Sequence, residues 1–167
     1  MLKFEQLFSA LNKKKVRYLV VGGIAVNLYG IERATADIDL VVDLEESNLQ
    51  KFIKAIKDLN FKPKIPVSLD DFTEREKREE WIREKGMMVF SLFDPRNPYF
   101  LLDVFVIEPF DFNRVYEAKR EMKSGKVKIP VISLGHLVEM KEKTGRPQDI
   151  SDVFYLKKVM GEWQNEK

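Results

Sequence analysis

Three aspartates and a pair of glycines are the residues of this sequence best suited to chemistry. Asp37 and Asp39 flank Ile38 within the stretch Tyr18 to Asp43, YLVVGGIAVNLYGIERATADIDLVVD. Two positions apart on a strand, their carboxylates project from one face, while Ile38, Leu40 and Val42 project from the other into a core. Like charges held side by side repel, and a cation is the usual reason to tolerate them. Asp103 is the second anomaly, because Leu101, Leu102, Val104, Phe105 and Val106 around it are all apolar. A carboxylate in such a run costs several kcal/mol unless it meets a cation or opens on a cleft.

Two carboxylates on one strand and a third on another form a natural site for Mg2+, which takes oxygen ligands, keeps waters and completes its shell with substrate phosphates. Two ions, or Mn2+ in place of Mg2+, suit the same ligands. With two, one activates an attacking hydroxyl while the other steadies a triphosphate and its leaving pyrophosphate. Gly22-Gly23 ends an apolar run and leads into a helix-compatible segment, a turn that lets backbone N–H groups approach phosphate oxygens. It is neither a P-loop nor a dinucleotide fingerprint, since no Gly-Lys-Ser/Thr follows and the third glycine spacing is missing. Each feature also has a plainer explanation: a salt bridge from Arg33 for the first two aspartates, and a buried ion pair for Asp103.

The elements that would position these residues follow from apolar periodicity. Helices are expected over Leu2 to about Asn12, Ile24 to Tyr29, a stretch carrying Leu49 to Leu59 with Ser47 as N-cap, Asp111 to Lys123 and Leu134 to Lys143. A last helix begins at Asp149 or Ser151. Strands are expected over Val16 to Val21, Ile38 to Val42, Met87 to Phe93, Tyr99 to Ile107, and Lys126 to Ile132 with an interruption at Pro130. Asp94-Pro95-Arg96-Asn97-Pro98 has turn chemistry and predicts an antiparallel hairpin. The charged segment Thr73 to Lys85 reads as a solvated helix face or a mobile excursion. His136, Trp81 and Trp163 read as packing or surface residues.

Composition bounds the class. At 167 residues, 44% hydrophobic and 34% charged, the chain reads as one globular domain, residues 1–167, with a core to about residue 110 and a helical segment after it. No apolar run approaches a membrane span, no secretory signal is evident, and no cysteine is available for a disulfide or thiolate site, so a cytoplasmic location is expected. A net charge of +2 does not by itself imply nucleic-acid binding, although local basic clusters remain compatible with it.

In combination these features resemble the nucleotidyltransferase superfamily related to DNA polymerase beta, and in particular its small prokaryotic members akin to the AbiEii toxin-like group. The signature runs through Gly22-Gly23, Arg33, Thr35, Asp37, Asp39 and Asp103. A second patch, KEKTGRPQDISD from Lys141 to Asp152, is similar to the Arg-Pro-x-Asp-x-x-Asp segment of those relatives. The resemblance implies an α/β (α+β) fold with a mixed, mostly antiparallel sheet flanked by helices and a helical C-terminal segment. Asp37, Asp39 and Asp103 would hold the metal and act in catalysis. Gly22, Gly23, Arg33, Thr35, Lys141, Arg146 and Asp149 would contact a nucleoside triphosphate, although a Gly-Arg-Pro turn with an Asp cap also accounts for the last three. The acceptor would be a hydroxyl on tRNA, protein or a small molecule, and a toxin would have an antitoxin partner. The family's glycine-serine pair is glycine-glycine here.

Overall fold

The computed structural model describes residues 3–165. Leu2, expected in the first helix, lies outside them. Seven strands form one sheet in the order β3-β4-β5-β2-β1-β7-β6. Its central strands are β1 (Tyr18–Val21), β2 (Asp37–Val42) and β5 (Asn97–Phe105), with β4 (Val89–Asp94) and the two-residue β3 (Lys62–Pro63) beyond β5. Strands β6 (Arg120–Ser124) and β7 (Val127–Val131) complete the other side. Four neighbouring pairs are antiparallel; β2 with β5 and β1 with β7 are parallel. The sheet is therefore mixed and mostly antiparallel, as the family resemblance implies.

The period-2 pattern decides which face is the core. Ile38, Leu40, Leu102, Val104 and Phe90 lie in register on one face and are at most 3% exposed. That face is covered by α1 (Lys3–Lys13), α3 (Glu46–Asp58), a 3-10 turn (Leu69–Thr73) and α4 (Arg75–Lys85). Phe8 of α1 stacks on Tyr18, and Phe72 and Trp81 stack on Phe90, at centroid separations of 5.0 to 6.0 Å. The opposite face carries the aspartates. Helices α2 (Gly22–Leu28), α5 (Phe112–Glu117), α6 (Leu134–Thr144) and α7 (Pro147–Asn165) complete the chain.

Several elements differ from the sequence reading. The expected helix over Asp111 to Lys123 ends at Glu117, and its remainder is β6, half of a hairpin that turns at Gly125. Its residues Arg120 to Ser124 are charged or polar apart from Met122, which serves a solvated edge strand as well as a helix. Pro130 does not interrupt β7, because its partner across the ladder, Glu121, is met without needing an N–H from proline. The cap of α3 is Glu45, whose carboxylate accepts from the Ser47 N–H, and Ser47 itself is inside the helix. Helix α4 is not merely a solvated face: Trp81 is 3% exposed, and Arg78 is buried with its guanidinium donating to the Phe72 carbonyl at 2.7 Å. Finally, α7 starts at Pro147, which has no N–H to leave unsatisfied in a first turn.

Candidate active site

Parallel pairing of β2 with β5 sets Asp39 directly beside Asp103, and Asp37 beside Leu101. Alternation puts all three carboxylates on the same face. The antiparallel partner of Asp103 on β4 is Ser91, whose hydroxyl donates to Asp103 Oδ1 at 2.6 Å and leaves Oδ2 without that contact. Asp103 has no Lys or Arg in ion-pairing distance among the described residues, so the buried ion pair considered for it is absent there. Burial pushes the Asp39 carboxyl up to about 7, and the charges of Asp103 and Asp37 push the same way against Lys141 and Arg33. Asp37 is also raised, first by burial and then by Asp103, with Lys64 opposing.

The glycines are explained by what stands over them. Gly22 has φ +68° and opens α2 directly, so the pair forms the first turn of the helix and not a turn preceding it. A Cβ at Gly22 would collide with the Asp39 carboxylate. A Cβ at Gly23 would collide with the Arg33 guanidinium and the Thr35 hydroxyl, so the space that a serine side chain would need is taken by these two residues. The sequence-level grouping of Gly22 and Gly23 with Arg33, Thr35 and Asp39 is thus a set of direct contacts.

The third side of the site comes from α6 and α7. Gly145, at φ +59°, ends α6 in the left-handed conformation and reverses the chain into α7. Asp149 accepts from Arg146 Nε at 2.9 Å, from the Arg146 N–H at 3.2 Å and from the Thr144 hydroxyl at 2.8 Å. Burial would raise its pKa, but these hydrogen bonds and Lys141 outweigh it and hold the carboxyl down at about 2. The Lys141 ammonium lies 2.8 Å from Asp152 and 3.4 Å from Asp149. Asp152 also meets Arg33 Nε at 3.2 Å, so one carboxylate ties α7 to both α6 and the loop over Gly23. Lys141, Asp149 and Asp152 are all nearly inaccessible, whereas the Arg146 side chain is 75% exposed.

A cleft of about 480 Å3 joins these groups, lined on its polar side by Gly22, Asp39, Asp103, Lys141, Arg146 and Asp149. Its apolar side includes Met88, Phe105, Leu137 and Met140. Asp37 shares the carboxylate face outside this lining, and Gly23, Arg33 and Thr35 stand behind Gly22. His136 is spent on the Ser133 hydroxyl at 2.8 Å and takes no part. Sequence reasoning assigned no role to Ser91, Lys64 and Asp152. The last could have been found, since it falls three positions after Asp149 and so on the same helix face. Ser91 and Lys64 are visible only through the register of β4. The donors at the carboxylate end are all oxygen, which suits a hard cation, but among the described residues no three acidic or histidine side chains converge closely enough to hold an ion unaided.

A mixed sheet with paired aspartates beside a glycine-opened helix defines a nucleotidyltransferase fold, and solved structures of that class superpose on the chain. A nucleotidyltransferase from Thermotoga maritima matches with TM-score 0.56 at 18% identity, over 98% of this chain and 91% of that one. The lincosamide antibiotic adenylyltransferase LnuA, bound to lincomycin, matches with TM-score 0.60 at 21% identity, over 95% and 98%. ANT(2")-Ia in complex with adenylyl-2"-tobramycin matches with TM-score 0.60 at 12% identity, over 98% and 90%. No curated protein is matched by sequence. Residues 6–165 match the model of the family described as nucleotidyl transferase AbiEii toxin, Type IV TA system. The chain belongs to that family of nucleotidyltransferases and is an enzyme by class. Among the described residues no helix is long and apolar enough to cross a membrane.

Proposed function

We propose that this chain transfers a nucleoside monophosphate from a nucleoside triphosphate to an acceptor hydroxyl in a Mg2+-dependent reaction. The observation that carries this reading is the register that sets Asp39 beside Asp103, with Asp37 on the same face and Gly22 against Asp39. Asp37, Asp39 and Asp103 would hold Mg2+, and substrate phosphates would complete the shell that three carboxylates leave open. Bound there, the ion would neutralise the mutual repulsion of the carboxylates and polarise the α-phosphate.

The acceptor oxygen attacks the α-phosphorus in line, and the bond from that phosphorus to the bridging oxygen breaks, releasing pyrophosphate with the electron pair. Asp103 is placed to take the acceptor proton, because Ser91 occupies Oδ1 and leaves Oδ2. Gly22 and Gly23 would position the triphosphate through the backbone N–H groups of the first turn of α2. Arg146 is fixed through Nε and directs its remaining N–H groups at phosphate, while Lys141 and Arg33 supply positive potential from behind. Thr35 stands beside Arg33 over Gly23 and donates to the Asp37 carbonyl at 3.5 Å, and Asp149 aims Arg146.

The decisive assay measures pyrophosphate release from each nucleoside triphosphate with Mg2+ over a panel of acceptors: tRNA, protein and hydroxyl-bearing small molecules. The structural relatives with lincomycin and adenylyl-tobramycin motivate the last class. Asp39→Asn should lower turnover by more than about a hundredfold. Turnover in that variant equal to wild type sinks the reading. Family membership favours a toxin role, with an antitoxin as partner. Expression should then arrest growth, with relief by an adjacent gene's product; harmless high-level expression of active enzyme would count against it.

A further inference from the structure

A second and larger cavity, about 690 Å3, lies at the other end of β1 from the catalytic cleft. Tyr18 lines this cavity and Val21 lines the cleft, so roughly 10 Å of strand separates them. Five lysines surround the cavity: Lys13 and Lys15 where α1 ends, Lys119 after α5, and Lys126 and Lys128 on the β6–β7 hairpin. Glu121 is the one carboxylate among them. The whole chain carries a net charge of only +2, so positive charge is concentrated here.

The lysines lack the counter-charges found elsewhere. Lys14 meets Asp58 at 3.0 Å, Lys57 meets Asp70 at 2.8 Å, and Arg17, also in this cavity, meets Asp43 at 2.6 Å. None of the five has a carboxylate in ion-pairing distance among the described residues. The hairpin even opposes like charges, since Lys128 stands directly across from Lys123 in the ladder. Such a pair destabilises a hairpin and adds to the positive charge beside the cavity. Unpaired lysines gathered around a hollow produce the positive potential that a polyanion meets by releasing counterions.

We propose that this groove binds the phosphodiester backbone of single-stranded RNA. An acidic protein fits it less well, because protein interfaces are depleted in lysine and anchored by exposed aromatic or aliphatic side chains. Here Val16 and Tyr18 are buried, and the Tyr116 ring is engaged by the Arg17 guanidinium and the Lys119 ammonium at 4.8 and 4.1 Å. A duplex is too wide to enter a hollow of this volume, whereas a few nucleotides of single strand are not. Ribose is favoured over deoxyribose by Glu121, which repels phosphate but accepts a hydrogen bond from a 2′-hydroxyl.

The test is fluorescence anisotropy with a labelled single-stranded oligoribonucleotide of about 12 nucleotides, without nucleotide triphosphate or divalent ion. The result is therefore independent of whether the transfer reaction exists. Wild type should bind with a steep salt dependence. Lys15→Ala/Lys126→Ala/Lys128→Ala should weaken binding about tenfold or more at low salt and flatten the log–log salt slope by about 2, as the loss of three phosphate contacts requires. Lys77→Ala/Arg83→Ala/Lys85→Ala on α4 removes the same charge elsewhere and should change affinity less than about twofold. Glu121→Gln should narrow the preference for RNA over DNA of the same sequence. Equal losses in the two triple variants, equal wild-type affinity for DNA, or equally effective competition by polyglutamate would each overturn the assignment.

Discussion

Two clusters of charge meet at one cleft, each lining it in part, and are built in opposite ways. At the strand end, Asp37, Asp39 and Asp103 are like charges fixed on adjacent backbone positions, with no Lys or Arg in ion-pairing distance among the described residues. At the helix end, Lys141 and Arg33 meet Asp149 and Asp152 in a network of alternating sign, with Lys141 and both aspartates buried. Strand register holds the first cluster together against its own electrostatics, and the second holds itself. The difference separates work from support: unrelieved charge is left for a ligand, while relieved charge fixes the geometry around it.

The sharpest way to break this contrast is to remove one carboxylate from each cluster and compare the signs. Asp152→Ala leaves Lys141 with Asp149 alone at 3.4 Å and removes the carboxylate that Arg33 meets, a loss on the order of 2–4 kcal/mol for a largely buried pair broken on one side. Chemical denaturation should show a midpoint shift of that size, and transfer should fall because Lys141 and Arg33 lose their anchor. Asp39→Asn should instead stabilise the metal-free protein at pH 8, by on the order of 2 kcal/mol, since it deletes a repelled charge. A destabilised Asp39→Asn or an unaffected Asp152→Ala would erase the distinction.

A smaller effect follows from pH. Asp39 keeps its proton up to about 7 in the folded chain, whereas an unfolded aspartate loses it near 3.8. Between these values the folded state binds more protons, so stability falls as pH rises through the window, and Asp37 adds to the same trend. Asp149, held down at about 2, acts oppositely: its contribution is full above the ordinary aspartate range and fades as pH drops toward 2. Metal-free protein should therefore lose roughly 1–3 kcal/mol between pH 5 and pH 8. Asp39→Asn should remove most of that slope, and denaturation at the two pH values with a chelator present measures it.

The strand end was legible in the sequence and the helix end only partly, for a physical reason. Asp37, Asp39 and Asp103 stand out because a charge in an apolar strand breaks a period-2 pattern that must be kept. Their parity alone fixes the shared face. Lys141, Asp149 and Asp152 break no pattern, since charged residues on helices are ordinary, and only the packing of α6 against α7 reveals that they are buried. The same limit explains Asn48, a polar residue on α3 that is 4% exposed and joins Arg17 to Asp43 through hydrogen bonds of 2.7 to 3.1 Å. It explains β6 as well, where a solvated edge strand has no apolar stripe to distinguish it from an exposed helix.

The two glycines offer the finest division between the clusters, because one touches each. A side chain at Gly22 would require left-handed backbone and would strike Asp39, so no small adjustment accommodates it. Gly23 lies against the end of the Arg33 side chain, which can swing aside, and against the short Thr35 side chain, which has less freedom to move. Gly23→Ala should then cost about 1–3 kcal/mol, less than a side chain at Gly22. Its mark should be kinetic: an Arg33 displaced from Asp152 weakens the positive potential behind the triphosphate, raising KM a few-fold while kcat holds. A fall in kcat without a change in KM would place Gly23 with the carboxylates and move the boundary between the two clusters.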